Sequence, residues 1–151
     1  MQKRPLALVF GSVLLVGTLD ILAACIQYYL KTGSGPALVF KFIASGVFGA
    51  EAFSAGDSMI VYGLLFHYSI AVSFTIFFFL ITTLFPALLK AKVVTGIGYG
   101  IAVWIVMNLI VVPISNTPKG EFDWINAGIG MLILIVCIGL PLSFIAAKAR
   151  R

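Results

Sequence analysis

GTLDILAACIQYY, residues 17–29, lies inside a long apolar run that Asp20 interrupts. Either this run is the core of a cleaved signal, or it is the first helix of the mature protein. Leu22-Ala23-Ala24-Cys25 has the form of a lipoprotein cleavage box, with Lys3 and Arg4 as the basic leader and Cys25 as the lipidated residue. Two features oppose that reading. A signal core is uncharged, and Asp20 would sit within it. The apolar run also continues past the box through Ile26, Tyr28, Tyr29 and Leu30, where a mature lipoprotein begins with a polar tether. The stretch is therefore expected to be a permanent first helix that carries an acid at mid-depth.

The rest of the chain supports that choice. Of 151 residues, 62% are hydrophobic and 10% are charged, with a mean hydropathy of +1.16. Soluble domains carry about 25% charged residues. The class is integral membrane protein, with no room for a separate soluble domain. A pI near 9.4 does not indicate nucleic acid, because the basic residues cluster at the ends and in one short loop. That placement reads as membrane topology.

Four apolar stretches are long enough to cross a hydrocarbon core, which takes about 20 helical residues. They cover roughly 6–30, 58–85, 93–115 and 124–147. Continuous runs specify helices, since a membrane barrel shows short alternating segments. The expectation is an all-α membrane protein, a single transmembrane domain over 1–151 built as a four-helix bundle. Residues 31–57 begin with the breaker run Lys31-Thr32-Gly33-Ser34-Gly35-Pro36. Pro36 suits a first helical turn. Residues 36–50 are expected to form an interfacial or re-entrant helix, the alternative being an ordered loop. Pro113 should loosen the end of the third helix, and Pro141 should kink or end the fourth.

Charge sets the orientation. Lys3, Arg4, Lys90, Lys92, Lys148, Arg150 and Arg151, seven in all, fall on one side, and Lys31, Lys41 and Lys119 on the other. The bias puts both termini in the cytoplasm. Every acid but Asp20 then lies outside. Cys25 and Cys137 differ in depth by roughly 15 Å at 1.5 Å per residue, too far for a disulfide.

Gly17, Asp20, Ala24, Gln27 and Lys31 share one face of the first helix at 3, 4, 3, 4 spacing. Small residues allow close packing, and polar ones seek partners. An Asp at mid-helix costs roughly 2.5–3.5 kcal/mol on insertion scales, so it should point inward and be paired or protonated. Counting depth from the outer ends puts Asp20, His67 and Asn108 at a similar level, with Gln27 nearer the surface. These four form the candidate polar cluster. It can be a hydrogen-bonded clasp, or a site that relays protons or holds a ligand. One His and one Asp fall short of a metal site; no metal and no cofactor are expected. Gly96 and Gly100 form a Gly-x-x-x-Gly pair for helix packing or dimerisation, and Gly128 is assigned a similar packing role in the fourth helix.

The segments GTLDILAA, FIASGVFGAEAFSAGDS, YGLLFHYSIA, GYGIAVWIVMNLIVVPIS and CIGLPLSFIAAK occur in this order. As a set, spanning about Gly17 to Lys148, the chain resembles a widespread family of small, uncharacterised bacterial inner-membrane proteins with four predicted helices. The resemblance implies topology, four helices with a long first outer loop, and a bacterial inner-membrane location. It also picks out Asp20, Gly46, Gly49, His67, Asn108 and Pro113, and assigns no catalytic or binding role. Ala55 departs from the pattern, where a second Gly beside Gly56 would be expected.

Three kinds of activity remain open to these residues. One is a structural or accessory component that packs in lipid against a larger membrane complex or a second copy, with no nucleic-acid partner. The alternative is a small transporter or proton-linked, solute-binding protein that uses Asp20 and His67. A membrane enzyme is disfavoured, because no nucleophile–base set or phosphate-binding loop can be found.

Overall fold

A computed structural model describes residues 6–150; Lys3, Arg4 and Arg151 of the charge count lie outside the described residues. The described residues form helices and no strand. Four helical segments are long and apolar enough to cross a membrane: Leu6–Thr32, Ser58–Leu84, Pro86–Ile114 and Trp124–Lys148. The chain is thus an all-α, four-helix bundle of multi-pass membrane type. Its outward surface is apolar on every span, with Leu22, Ile76, Ile105 and Leu132 among the exposed side chains. A face of that kind is stable against lipid tails and not against water.

Helix α1 (Leu6–Thr32) is the first span. The breaker run stops it. Gly33 takes φ +69°, and its N–H returns to the Tyr29 carbonyl at 2.8 Å, the left-handed cap that glycine supplies without a Cβ clash. Pro36 then opens α2 (Ala37–Phe48), so the segment between the first two spans is helical, as its sequence indicates. Gly49, at φ +66°, ends α2 and donates to the Ser45 carbonyl. A short 3-10 turn, Gly49–Phe53, leads to the second span, α3 (Ser58–Leu84).

Helix α2 packs along the start of α3. Phe48 lies against Tyr62 and Phe66, with ring centroids 5.1 and 6.1 Å away. Gly63 permits the closest approach: a Cβ there would stand 2.0 Å from the Phe40 carbonyl oxygen. The far end of α2 is held by Asn116, whose backbone N–H donates to Gly46 (3.0 Å) and whose side chain donates to Val47 (2.9 Å).

The third and fourth spans are not uniform α-helices. The third is a 3-10 turn, Pro86–Ala91, then α4 (Lys92–Ile105), a π-helical turn Val106–Val111, and α5 (Val112–Ile114). The fourth is α6 (Trp124–Leu134), a π turn Ile135–Gly139, and α7 (Leu140–Lys148). Both π turns directly precede a proline-bearing segment, containing Pro113 in one span and Pro141 in the other. Proline lacks an N–H, and its ring collides with the carbonyl four residues back. Those carbonyls belong to Leu109 and Cys137, inside the widened turns, which make room for the ring. Pro141 therefore does not end the fourth helix; the wide turn carries the helix through it.

The spans close into a ring, α1 on α3, α4 on the fourth span, and the fourth span back on α1. Tyr99 joins α3 to α4 by donating to the Phe74 carbonyl at 2.6 Å, with its ring 4.7 Å from that of Phe78. Ser143 likewise donates to the Lys92 carbonyl at 2.6 Å. The apolar core is Val16, Phe78, Phe79, Ile138, Leu142 and Ala146.

Candidate functional site

Gly17 faces α3 closely, since a Cβ would meet Tyr68 Cε1 at 2.9 Å. This gap lets buried His67 reach the α1 backbone. Its Nε2 donates to the Gly17 carbonyl at 2.7 Å, and Thr18 and Tyr68 share a hydroxyl hydrogen bond of 2.7 Å beside it. The imidazole therefore clasps α1 to α3 through main chain, not through the Asp20 carboxylate. Gly17 is three residues, or about 4.5 Å, from Asp20 along α1. The clasp is thus offset by about one turn from the level of Asp20.

Asp20 is half-buried. It is in electrostatic range of His67 on α3 and of Cys137 in the second π turn, so it faces the bundle interior. No hydrogen bond or ion pair joins it to another side chain among the described residues. Asn108, expected to meet it, does not. The Asn108 amide donates to the Trp104 carbonyl on its own helix at 3.0 Å, at the edge of the first π turn. A widened turn disturbs the regular carbonyl ladder, and a local amide is the nearest donor. Two turns along α3 from His67, Thr75 is fully buried, and its Oγ1 has no hydrogen-bond partner among the described residues.

Gln27 belongs to a different feature. It lies with Lys31 and Asn126 at a groove of about 550 Å³ between α1 and α6, whose walls include Ala23, Ile26, Ile129 and Ile133. Asp123 stands at the mouth. It caps α6, its Oδ1 accepting from the N–H groups of Ile125 (3.0 Å) and Asn126 (3.1 Å). Its Oδ2 accepts from Lys31 Nζ at 3.1 Å and from the Asn126 side-chain amide. The N–H of Asn126, then Lys31, hold the Asp123 carboxyl below the usual carboxylate range. The two residues of the pair are about half-exposed. The candidate cluster thus divides into a clasp at His67, a carboxyl group at Asp20 with no hydrogen bond to another side chain among the described residues, and a polar groove mouth that includes Gln27.

The glycine assignments also divide. Gly96 and Gly100 do meet the fourth span: a Cβ on Gly100 would be 2.5 Å from Ile135 Cα, and one on Gly96 would be 2.9 Å from Leu140 Cα. The contact is within one chain. Gly128 does not take part, because nothing lies within 4 Å of an added Cβ. The close approach comes from Gly139, where a Cβ would stand 2.0 Å from the Gly96 carbonyl oxygen. Gly139 has no second glycine at helical spacing and so forms no motif. Its place just before Leu140-Pro141 is the one sequence signal of altered backbone there.

No group of three or more His, Cys, Asp or Glu side chains able to hold a metal comes together among the described residues. Cys25 and Cys137 are both free thiols. Comparison with family models, with curated proteins and with solved structures gave no match.

Proposed function

We propose that this chain is a structural or accessory component of the bacterial inner membrane, with both termini cytoplasmic, assembling in lipid with a larger complex or with its own copies. The observation that carries this reading is how intramembrane polar groups are used. His67 binds the Gly17 backbone, Tyr99 the Phe74 backbone and Ser143 the Lys92 backbone. Each fastens one helix to another, which suits a rigid scaffold. The seven-to-three distribution of Lys and Arg supports the orientation.

The test is size and company in native membranes. Chain extracted in a mild detergent should run well above one 16.2 kDa protomer, with a defined partner or a defined number of copies. A lone protomer under every mild condition overturns the proposal.

One observation favours a second reading, a proton-linked or solute-binding protein. Asp20 faces the interior without a hydrogen-bond partner among the described residues, and a carboxyl group so placed in a span marks an ion or proton path by default. Asp20→Asn should then abolish a pH-dependent uptake while the protein remains folded. Unchanged uptake and unchanged pH dependence would remove this reading.

A further inference from the structure

The groove between α1 and α6 has a composition that neither reading above uses. Its walls are apolar along α1 from Ala23 toward Leu30 and along α6 at Ile129 and Ile133. From Ala23 to Lys31 the helix rises about 12 Å, close to the roughly 15 Å of hydrocarbon in one leaflet. At the end of this apolar run stand both signs of charge, Lys31 and Asp123 at 3.1 Å, with the Gln27 and Asn126 amides beside them.

We propose that this groove seats a phospholipid with a primary-ammonium headgroup, one acyl chain lying between α1 and α6, the phosphate at Lys31 and the ammonium at Asp123. The charges select the headgroup. A zwitterion can stand in for both halves of the ion pair, its ammonium taking the place of Lys31 Nζ at Asp123 Oδ2 while Lys31 turns to the phosphate, so that neither charge is left unbalanced. An anionic headgroup without an ammonium brings a net negative charge beside Asp123, which its capping bonds and Lys31 keep ionised. A quaternary ammonium carries the right charge but has no N–H to donate to the carboxylate. Burial distinguishes lipid from a partner helix. A helix in the groove would cover the ion pair, which is 53% and 46% exposed, and desolvating both charges is costly. A lipid leaves the pair at the wet interface.

The experiment is native mass spectrometry of the full chain, delipidated and then exposed to equal amounts of phosphatidylethanolamine, phosphatidylcholine and phosphatidylglycerol with identical acyl chains. The phosphatidylethanolamine adduct should exceed each of the others by about fivefold, the scale of half-exposed charged contacts. Asp123→Asn, which retains a capping side chain, should abolish the preference over phosphatidylcholine. Lys31→Gln should weaken both zwitterionic adducts together. Ile129→Trp, which fills the groove and spares the charges, should reduce all three adducts. Equal adducts, a preference for phosphatidylglycerol, no adduct, or a preference that survives Asp123→Asn would overturn the proposal. If Asp123→Asn fails to fold, the Lys31→Gln and Ile129→Trp results decide it. None of these outcomes depends on whether the chain belongs to a larger complex.

Discussion

Replacing Gly139 by alanine should separate the third and fourth spans. The new Cβ would stand 2.0 Å from the Gly96 oxygen, 2.9 Å from the Gly100 nitrogen and 3.0 Å from the Gly96 carbonyl carbon. All three are backbone atoms, so no side chain can swing aside. Ordinary contact begins at 3.4 Å, and α4 must give way by the difference, 1.4 Å. Overpacking of this kind costs up to about 3 kcal/mol. Alanine returns about 1 kcal/mol of helix propensity, leaving a net loss of about 2 kcal/mol. Gly128→Ala is the internal control. It meets nothing within 4 Å, so it should keep the propensity gain of up to about 1 kcal/mol. The two variants should then differ by about 3 kcal/mol, a factor of roughly 100 in the folding equilibrium. Gly100→Ala, facing Ile135 Cα at 2.5 Å, should fall between them. Reversible unfolding in mixed micelles, followed by circular dichroism, reads all three. Equal stability of Gly139→Ala and Gly128→Ala would refute the claim that backbone contact at Gly139 sets the spacing of these spans.

Three further outcomes follow from the same geometry. Thr75→Val should stabilise the protein by about 1 kcal/mol, since it removes a buried hydroxyl with no partner among the described residues at nearly constant shape; a loss in the same unfolding assay would mean that the hydroxyl is satisfied. His67→Ala should cost about 0.6–1.7 kcal/mol for the lost interhelical bond plus its packing, with His67→Gln recovering part; equal loss in both would show that the bond to Gly17 contributes nothing. The Asp123 carboxyl titrates below its ordinary value of 3.8, so its contribution to stability is fully present above that value and fades as pH falls through the folded pKa. The difference in Tm between the native chain and Asp123→Ala should accordingly stay flat from about pH 8 to pH 5 and shrink only in stronger acid; a change near neutrality would contradict it.

The architecture is largely legible in the sequence because hydropathy and breakers act locally. The run Lys31 to Pro36 stops one helix and starts another, and each span lies within a few residues of its expected limits, except that the third begins earlier, at Pro86. Contacts between helices are less legible. Depth along a helix fixes height and leaves the direction around the axis open. Asp20 and Asn108 illustrate this: similar counts from the outer ends, yet Asn108 turns back to Trp104. Gly63 and Gly139 escape a search for spaced glycine pairs, because each works alone against a backbone oxygen. The π turns do leave a signal in Pro113 and Pro141. A proline in a helical run points to loosening or termination, whereas the chain widens one turn ahead of each and continues.

The attachment of α2 to Asn116 bears on the order in which this protein can be made. Val47 and Asn116 are 69 residues apart. At a synthesis rate of about 5–20 residues per second, roughly 3–14 seconds separate their emergence. During that interval the carbonyls of Gly46 and Val47 have no Asn116 to bind. Helix α2 can settle against α3 early, but its final seating waits for the third span to insert and bring its C-terminal end across. The connection between the first two spans is thus locked by the one between the last two, and a ribosome stalled before residue 116 would leave the nascent protein with α2 unlatched.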